Sequence, residues 1–319
     1  MTKIKNDLDE TKIMSHWLHS DKVYVSIICL CFEHESYIEQ AIDSFLKQKT
    51  KYRFEIIIHD DKSNDNSVKI LLNYKKKFPN IIKLKLQKEN IYSKGGSVIK
   101  EAFSFASGDY IAFCEGDDWW FDEHKVEKQV DVLKASQYIL THSNCYLFNQ
   151  QKRQFINESD NKKVADCSID NLIQQKYIIR LASVMVEYSV LNETINLITN
   201  EFPKNMKLYD LPMWCILRDK GRFYFYPESL SVYRVLSESA SHSKNMNKRL
   251  EFSRSVTDVM LRISLTVNLS IKSHLFIIRR IAGLLRFSVK LKNKDYILIS
   301  IQYFFQSITN LATKGVSKK

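Results

Sequence analysis

Glycine and proline are scarce in this chain, seven and four in 319 residues. That scarcity excludes collagen-like, Pro-rich and Gly/Ser-linker architectures, and no internal repeat or low-complexity tract interrupts the sequence. The six cysteines, Cys29, Cys31, Cys114, Cys145, Cys167 and Cys215, include no C-x-x-C pair. A disulfide framework is not expected, and thiols within apolar strand-like runs fit a reduced compartment. No run of 18 apolar residues occurs, and residues 1–22 are mostly polar and charged with no apolar h-region. Neither a transmembrane helix nor a secretory signal is expected, which points to a cytoplasmic location. Charge excess is also missing from most of the chain. Residues 244–319 hold 15 basic and three acidic side chains, so they carry the whole net charge of +12 and residues 1–243 are neutral. A neutral body of that size lacks the electrostatic footprint of a nucleic-acid binder.

What is present is an alternation of strand-like and helix-like segments. Residues 23–30 read as a buried strand, and 37–48 as an amphipathic helix with Ile38, Ala41, Ile42 and Phe45 on one face. A strand at 54–58, a helix from Asn64 or Asp65 to just before Pro79, a strand at 81–86, a helix at 97–106 and a strand at 109–113 follow. This βαβαβαβ order with short loops predicts a mostly parallel sheet with helices on both faces. Such sheets bind ligands at the carboxyl ends of their strands, where residues 30–32, 60–61 and 115–117 all fall. After a helix at 123–136, strands are expected at 138–148, 183–187, 222–226 and 230–233, the last two separated by Pro227, with helices at 168–175 and 208–219. From 248 to about 312 the pattern is helical, in three pieces breaking near Ser270 and Lys292.

The run Cys114-Glu-Gly-Asp-Asp-Trp-Trp120 stands where the fourth strand ends. Continuing the strand's two-residue period aims Glu115 and Asp117 the same way, with a glycine between them that permits close backbone approach. Two hard oxygen ligands so placed suit Mg²⁺ or Mn²⁺ held together with a diphosphate. An acidic turn with Asp118 as the N-cap of the next helix suits the same letters.

In order along the chain, Val25-Ser-Ile-Ile28, Phe32-Glu-His-Glu-Ser-Tyr-Ile38, Ile57-Ile-His-Asp-Asp-Lys-Ser-Asn-Asp65 and Gly108-Asp-Tyr-Ile-Ala-Phe-Cys-Glu-Gly-Asp-Asp118 resemble the family 2 glycosyltransferases of the GT-A fold. The likeness is to bacterial enzymes building capsule, O-antigen or other surface polysaccharide, strong over residues 23–140 and weaker over 207–243. It implies an α/β GT-A domain at 23–243, with a nucleotide-sugar half (23–140) and an acceptor half (141–243). A tail (1–22) precedes it and a basic helical extension (244–319) follows. It also implies metal-dependent, inverting transfer from a nucleotide-diphosphate sugar, of the UDP type, to a glycan or lipid-linked acceptor.

Residue by residue, the resemblance gives Phe32 the base-stacking position, the alternative being a core Phe. Asp60 and Asp61 match a paired acid of which one accepts from the base; capping the next helix is their other reading. Glu115-Gly-Asp117 stands at the D-x-D position, with Asp117 the direct ligand of Mn²⁺ or Mg²⁺ and Glu115 contacting ribose, metal or water. Asp210 matches the acid that deprotonates the acceptor, or else caps its helix. Asp118, Trp119, Trp120 and Trp214 are candidates to face donor or acceptor sugar, with a core role open for one of the paired tryptophans. Arg234 and His242, in a segment resembling the family's closing loop, are candidates to touch diphosphate or metal, or else lie in a solvated loop.

Two rival classes fit less well. A sugar nucleotidyltransferase needs a Gly-rich basic loop after the first strand, and residues 30–36 are acidic without glycine. A non-enzymatic membrane- or nucleic-acid-binding protein leaves the acidic constellation unused. The basic helices at 248–312 interleave Leu, Ile and Phe with Lys and Arg, suited either to an anionic membrane surface or to packing as a bundle.

Overall fold

The computed structural model describes residues 8–135, 137–158, 166–236 and 245–316. In chain order it contains α1 (Glu10–Ser15), β1 (Val25–Cys31), α2 (Ile38–Leu46), β2 (Phe54–Asp60), α3 (Ser67–Lys77), β3 (Ile82–Leu86), α4 (Val98–Phe103), β4 (Tyr110–Glu115), β5 (Trp119–Trp120) and α5 (Lys125–Lys134). There follow β6 (Leu140–Asn149), β7 (Gln154–Glu158), α6 (Ile169–Ile173), β8 (Met185–Glu187), α7 (Tyr188–Glu201), α8 (Asp210–Lys220), β9 (Phe223–Val235), α9 (Met246–Thr266), α10 (Ile271–Lys290) and α11 (Lys294–Val316). The chain forms two compact units, Met1–Asn161 with Ile179–Asn192 and Arg222–Val235, and Lys162–Ile178 with Glu193–Gly221 and Leu236–Lys319. These units cut across a linear division at residue 243.

The sheet runs β3-β2-β1-β4-β8-β6-β9-β5, with β7 on β6. From β3 to β4 every pairing is parallel, and β1 and β2 are buried almost throughout, as expected of apolar runs covered on both faces. Beyond β4 the expectation of a mostly parallel sheet fails. β8 is antiparallel to both β4 and β6, and β5 is antiparallel to β9, while β6 and β9 are parallel. The physical reason is length: three-residue β8 and two-residue β5 are too short for a period that would reveal their direction. β9 is also one strand where two are expected. Its pairing to β6 steps from Ser143↔Tyr226 to Asn144↔Ser229, so Pro227 sits in a bulge and owes the ladder no N–H.

Of the segment before β1, the described residues 8–24 pack against the core. Asp9 caps α1, Glu10 accepts from the N–H groups of Asn80 and Ile81, and buried Trp17 meets Phe54 edge-on at 5.4 Å.

Glu55 is buried in β2, where a strand of the core is not expected to hold a charge. Its carboxylate accepts from Ser26 Oγ at 2.7 Å, from Ser107 N–H and Oγ at 2.9 Å each, and from Lys83 Nζ at 2.5 Å. Burial works to raise its pKa, but Lys83 and the serine donors outweigh burial and hold it below the ordinary value. A depressed folded-state pKa gives stability that is fully present above the unfolded value near 4.3 and is lost as pH falls below it. Glu55→Gln is therefore expected to flatten the acid limb of a stability–pH curve between about pH 5 and 3. Urea melts across that range check it.

In the second unit, Asp170 of α6 accepts from Ser270 N–H (3.1 Å) and from the hydroxyls of Ser270 (2.8 Å) and Ser273 (2.5 Å), fastening the start of α10. The helix breaks near Ser270 and Lys292 appear where expected. No helix among the described residues is long and apolar enough to cross a membrane.

Candidate functional site

The parallel register sets the site. Cys31 lies opposite Asp60, and Leu30 opposite Glu115, so the carboxyl ends of β1, β2 and β4 are side by side. The loops leaving β1 and β2 are stitched together. The N–H groups of Glu33, His34 and Glu35 donate to Ser63 Oγ (2.8 Å), Ser67 Oγ (3.0 Å) and Asp65 Oδ2 (3.0 Å), and Glu35 accepts from Asn66 N–H at 2.8 Å. This ladder holds Glu33 and Lys62 at positive φ (56° and 68°), a conformation that non-glycine residues keep only when their surroundings fix it. Phe32 emerges from it 41% exposed.

Asp60 and Asp61 are both buried. The Asp60 carboxylate accepts from Ser63 N–H (3.0 Å) and Oγ (2.5 Å), fixing the turn after β2. The Asp61 carboxylate accepts from Ile91 N–H (2.8 Å) and Tyr92 N–H (3.0 Å), drawing the segment after β3 against the same end of the sheet. Each oxygen keeps a lone pair beyond these bonds.

The acid run leaves β4 with the strand's alternation intact: Glu115, Asp117 and Trp119 are half-buried, while Gly116, Asp118 and Trp120 are buried. Gly116 N–H donates to Leu30 carbonyl at 2.8 Å. A Cβ at Gly116 would fall 2.7 Å from His34 Nδ1 and 2.9 Å from Ile38 Cδ1, so a larger residue would have to displace both side chains. Asp118 is fully enclosed and accepts from Arg234 N–H at 2.8 Å. Burial, reinforced by Asp117 and Glu115, pushes its pKa well up.

Arg234 is the clamp on this loop. Its Nε donates to the Asp117 carbonyl at 2.6 Å, one terminal nitrogen to Gln40 Oε1 at 2.7 Å and the other to Gln150 Oε1. Its guanidinium carbon lies 4.6 Å from the ring centroids of both Tyr37 and Trp119. With 5% exposure and every nitrogen engaged, it holds the chain together where a diphosphate contact is expected. Trp120 likewise belongs to the core. It is 3% exposed, meets Phe45 edge-on at 4.8 Å and donates from Nε1 to the Ala182 carbonyl at 3.0 Å, so a sugar-stacking role for it fails.

Comparison with known proteins decides the class of this site. The family model described as glycosyl transferase family 2 matches residues 26–186, which span the strand ends and the whole acid run. The chain belongs to glycosyl transferase family 2.

Among curated relatives, an uncharacterized protein of Mycobacterium tuberculosis is 27% identical over 230 residues, 70% of this chain and 62% of its own length. The chain thus spans less than two thirds of that relative. The putative teichuronic acid biosynthesis glycosyltransferase TuaG of Bacillus subtilis is 27% identical over 236 residues, 72% of this chain and 85% of its own. Among solved structures, S. aureus TarS residues 1–349 in complex with UDP-GlcNAc superposes with a TM-score of 0.58 at 16% identity, covering 91% of this chain and 80% of that one. The Pyrobaculum calidifontis mannosyltransferase PcManGT, in complex with GDP-Man and Mn²⁺, gives a TM-score of 0.54 at 14% identity, covering 93% and 76%. These likenesses establish a GT-A-like mixed α/β fold.

Glu115 and Asp117 are the part-exposed carboxylates of the acid run, where the resemblance leads one to expect a metal. Among the described residues no group of three or more His, Cys, Asp or Glu side chains gathers to hold one. Two carboxylates with the remaining positions left to phosphate and water is nonetheless the arrangement Mg²⁺ and Mn²⁺ accept, since both keep waters and bind substrate phosphates. His242 lies outside the described residues.

Asp210 and Trp214 belong to the second unit. Asp210 is the first residue of α8, its Oδ1 accepting from Leu211 N–H at 2.8 Å. Trp214 is 2% exposed on the buried side of α8, so lining an acceptor pocket is not its role; its Nε1 is buried without a partner among the described residues.

One cation near the acid run is missed by sequence reasoning. Arg180 lies 4.3 Å above the Tyr233 ring, and its Nε is buried with no hydrogen-bond partner among the described residues. Tyr233's phenol is raised by burial and then, against Arg180, by Asp118, Glu115 and Asp117, which puts the ring within the field of the acid loop. Nothing local marks Arg180, because an arginine between Ile179 and Leu181 reads as an interruption of an apolar run.

Proposed function

We propose that the protein transfers a sugar from a nucleotide-diphosphate sugar, of the UDP type, to a hydroxyl of a glycan or lipid-linked acceptor in bacterial surface-polysaccharide synthesis, with inversion. The observation that carries this reading is the part-exposed Glu115/Asp117 pair at the carboxyl ends of parallel strands, beside exposed Phe32. Relatives support it: TarS is solved with UDP-GlcNAc, PcManGT with GDP-Man and Mn²⁺, and TuaG is named for teichuronic acid synthesis.

In this reading Phe32 stacks on the base and Asp60 or Asp61 accepts from it through a remaining lone pair. Asp117, with Glu115, would hold Mn²⁺ or Mg²⁺, and a bound ion would neutralise charge developing on the departing diphosphate. Asp118 stays structural, keeping Asp117 in place through the Arg234 clamp, while Trp119 offers the donor sugar its part-exposed ring. Asp210 takes the proton of the attacking acceptor hydroxyl. The basic C-terminal helices seat the enzyme on the anionic cytoplasmic face of a membrane, within reach of a lipid-linked acceptor. A panel of UDP-, GDP-, CDP- and dTDP-sugars with Mn²⁺, read by nucleotide release, tests the activity. Release from one class supports the reading, and none from any contradicts it.

In the same reading Arg180 supplies a cation for the donor's phosphates, since its Nε has no hydrogen-bond partner among the described residues and a guanidinium grips phosphate oxygens. Arg180→Met is expected to weaken UDP binding about tenfold to a hundredfold while leaving uridine binding unchanged, which calorimetry of the two ligands reads directly.

A further inference from the structure

The last helix carries its exposed apolar side chains in one stripe. Toward its neighbours α11 turns buried Ser300, Ser307 and Asn310 and half-buried Tyr296 and Tyr303, with Asn310 Nδ2 donating to Ser264 Oγ of α9 at 3.4 Å and Arg254 of α9 over the Tyr296 ring at 5.6 Å. Toward solvent it turns Leu298 (61% exposed), Ile301 (41%), Phe304 (40%), Phe305 (65%) and Ile308 (43%). At about 100° per residue these five share an arc of about 120°, the width of a core-facing stripe. Between Asp295 and Lys314 the helix carries no charged residue. A water-facing helix ordinarily buries its apolar arc and solvates its polar one, so this outward stripe is suited to an apolar partner.

Helix α10, packed against α11, indicates which partner. Its exposed side holds Lys272, Arg279, Arg286 and Lys290 among Ile271, Leu275 and Val289, and it contains no acidic residue. Apolar side chains beside a row of unneutralised cations complement an anionic lipid surface, with acyl chains for the first and headgroup phosphates for the second. A second copy would instead bring two such cationic helices toward each other. Too polar to cross a bilayer, α11 is suited to lie in its surface.

We propose that α11 inserts Leu298, Ile301, Phe304, Phe305 and Ile308 into the acyl boundary of an anionic membrane while α10 binds its headgroups. This rests on the membrane reading given under Proposed function and identifies the element that enters the lipid. The test uses the full chain and vesicles of phosphatidylcholine with or without phosphatidylglycerol. Wild type is expected to float with the anionic vesicles only. Ile301→Ser/Phe305→Ser/Ile308→Ser, altered only on the exposed side, is expected to keep its melting temperature and lose vesicle affinity by about 100-fold or more. Phe305→Trp is expected to retain binding and show added fluorescence that brominated acyl chains quench. Binding kept by the triple variant, with no quenching at 305, overturns the role of α11 and leaves the membrane reading standing. No binding by wild type removes both. A lipid-free dimer in light scattering that the triple variant abolishes overturns the proposal in favour of self-association.

Discussion

Asp117→Asn is expected to lower sugar transfer by about 10³-fold or more, the scale of losing a principal charge-stabilising group. The change is isosteric. It leaves the Asp117 carbonyl to accept from Arg234 Nε, so the loop keeps its clamp. What it removes is one of the two part-exposed carboxylates at the strand ends, where the amide oxygen is a much weaker ligand. The melting temperature is expected to stay within about 2 °C of wild type, because a half-buried side chain outside the core contributes little to stability. Turnover measured beside a melting curve checks both halves. Glu115→Gln is expected to cost less, since the same logic applies to an acid one position outside the clamped turn.

Arg234→Met has the larger effect on the fold. The arginine is buried between Tyr37 and Trp119, and its backbone N–H satisfies the enclosed Asp118. Methionine fills part of the volume but leaves Gln40, Gln150 and the Asp117 carbonyl without their donors. Leaving buried polar groups unpaired and removing a charge that faces Asp117 and Asp118 is expected to destabilise the protein by about 3–5 kcal/mol, with UDP binding lost in step. Denaturant unfolding supplies the first number and calorimetry the second. Stability near wild type with UDP binding abolished would show instead that Arg234 touches ligand.

The contrast between these two residues shows what the sequence discloses. Glu115 and Asp117 are legible because a strand period and a glycine locate them, and β1 to β4 are legible because long apolar runs broken by helices admit one arrangement. Arg234 was noticed, but as a ligand contact. Its partners Gln40 and Gln150 lie 194 and 84 residues away in chain number, and no local pattern announces such a clamp. Trp119 and Trp120 read as a pair, yet the alternation of the run sends one toward solvent and the other against Phe45. Burial of Trp214, the stacking of Arg180 on Tyr233 and the outward apolar stripe of α11 are likewise settled by packing partners remote in sequence. The direction of β8 and β5 escaped for want of length.

The proposed function needs a nucleotide-diphosphate site at the ends of β1, β2 and β4. Isothermal titration of the full chain with UDP, in Mn²⁺ and then in EDTA, tests it most directly. Binding in Mn²⁺ that weakens at least about tenfold in EDTA is the predicted result. Folded protein that binds none of UDP, GDP, CDP or dTDP with Mn²⁺ present would contradict it.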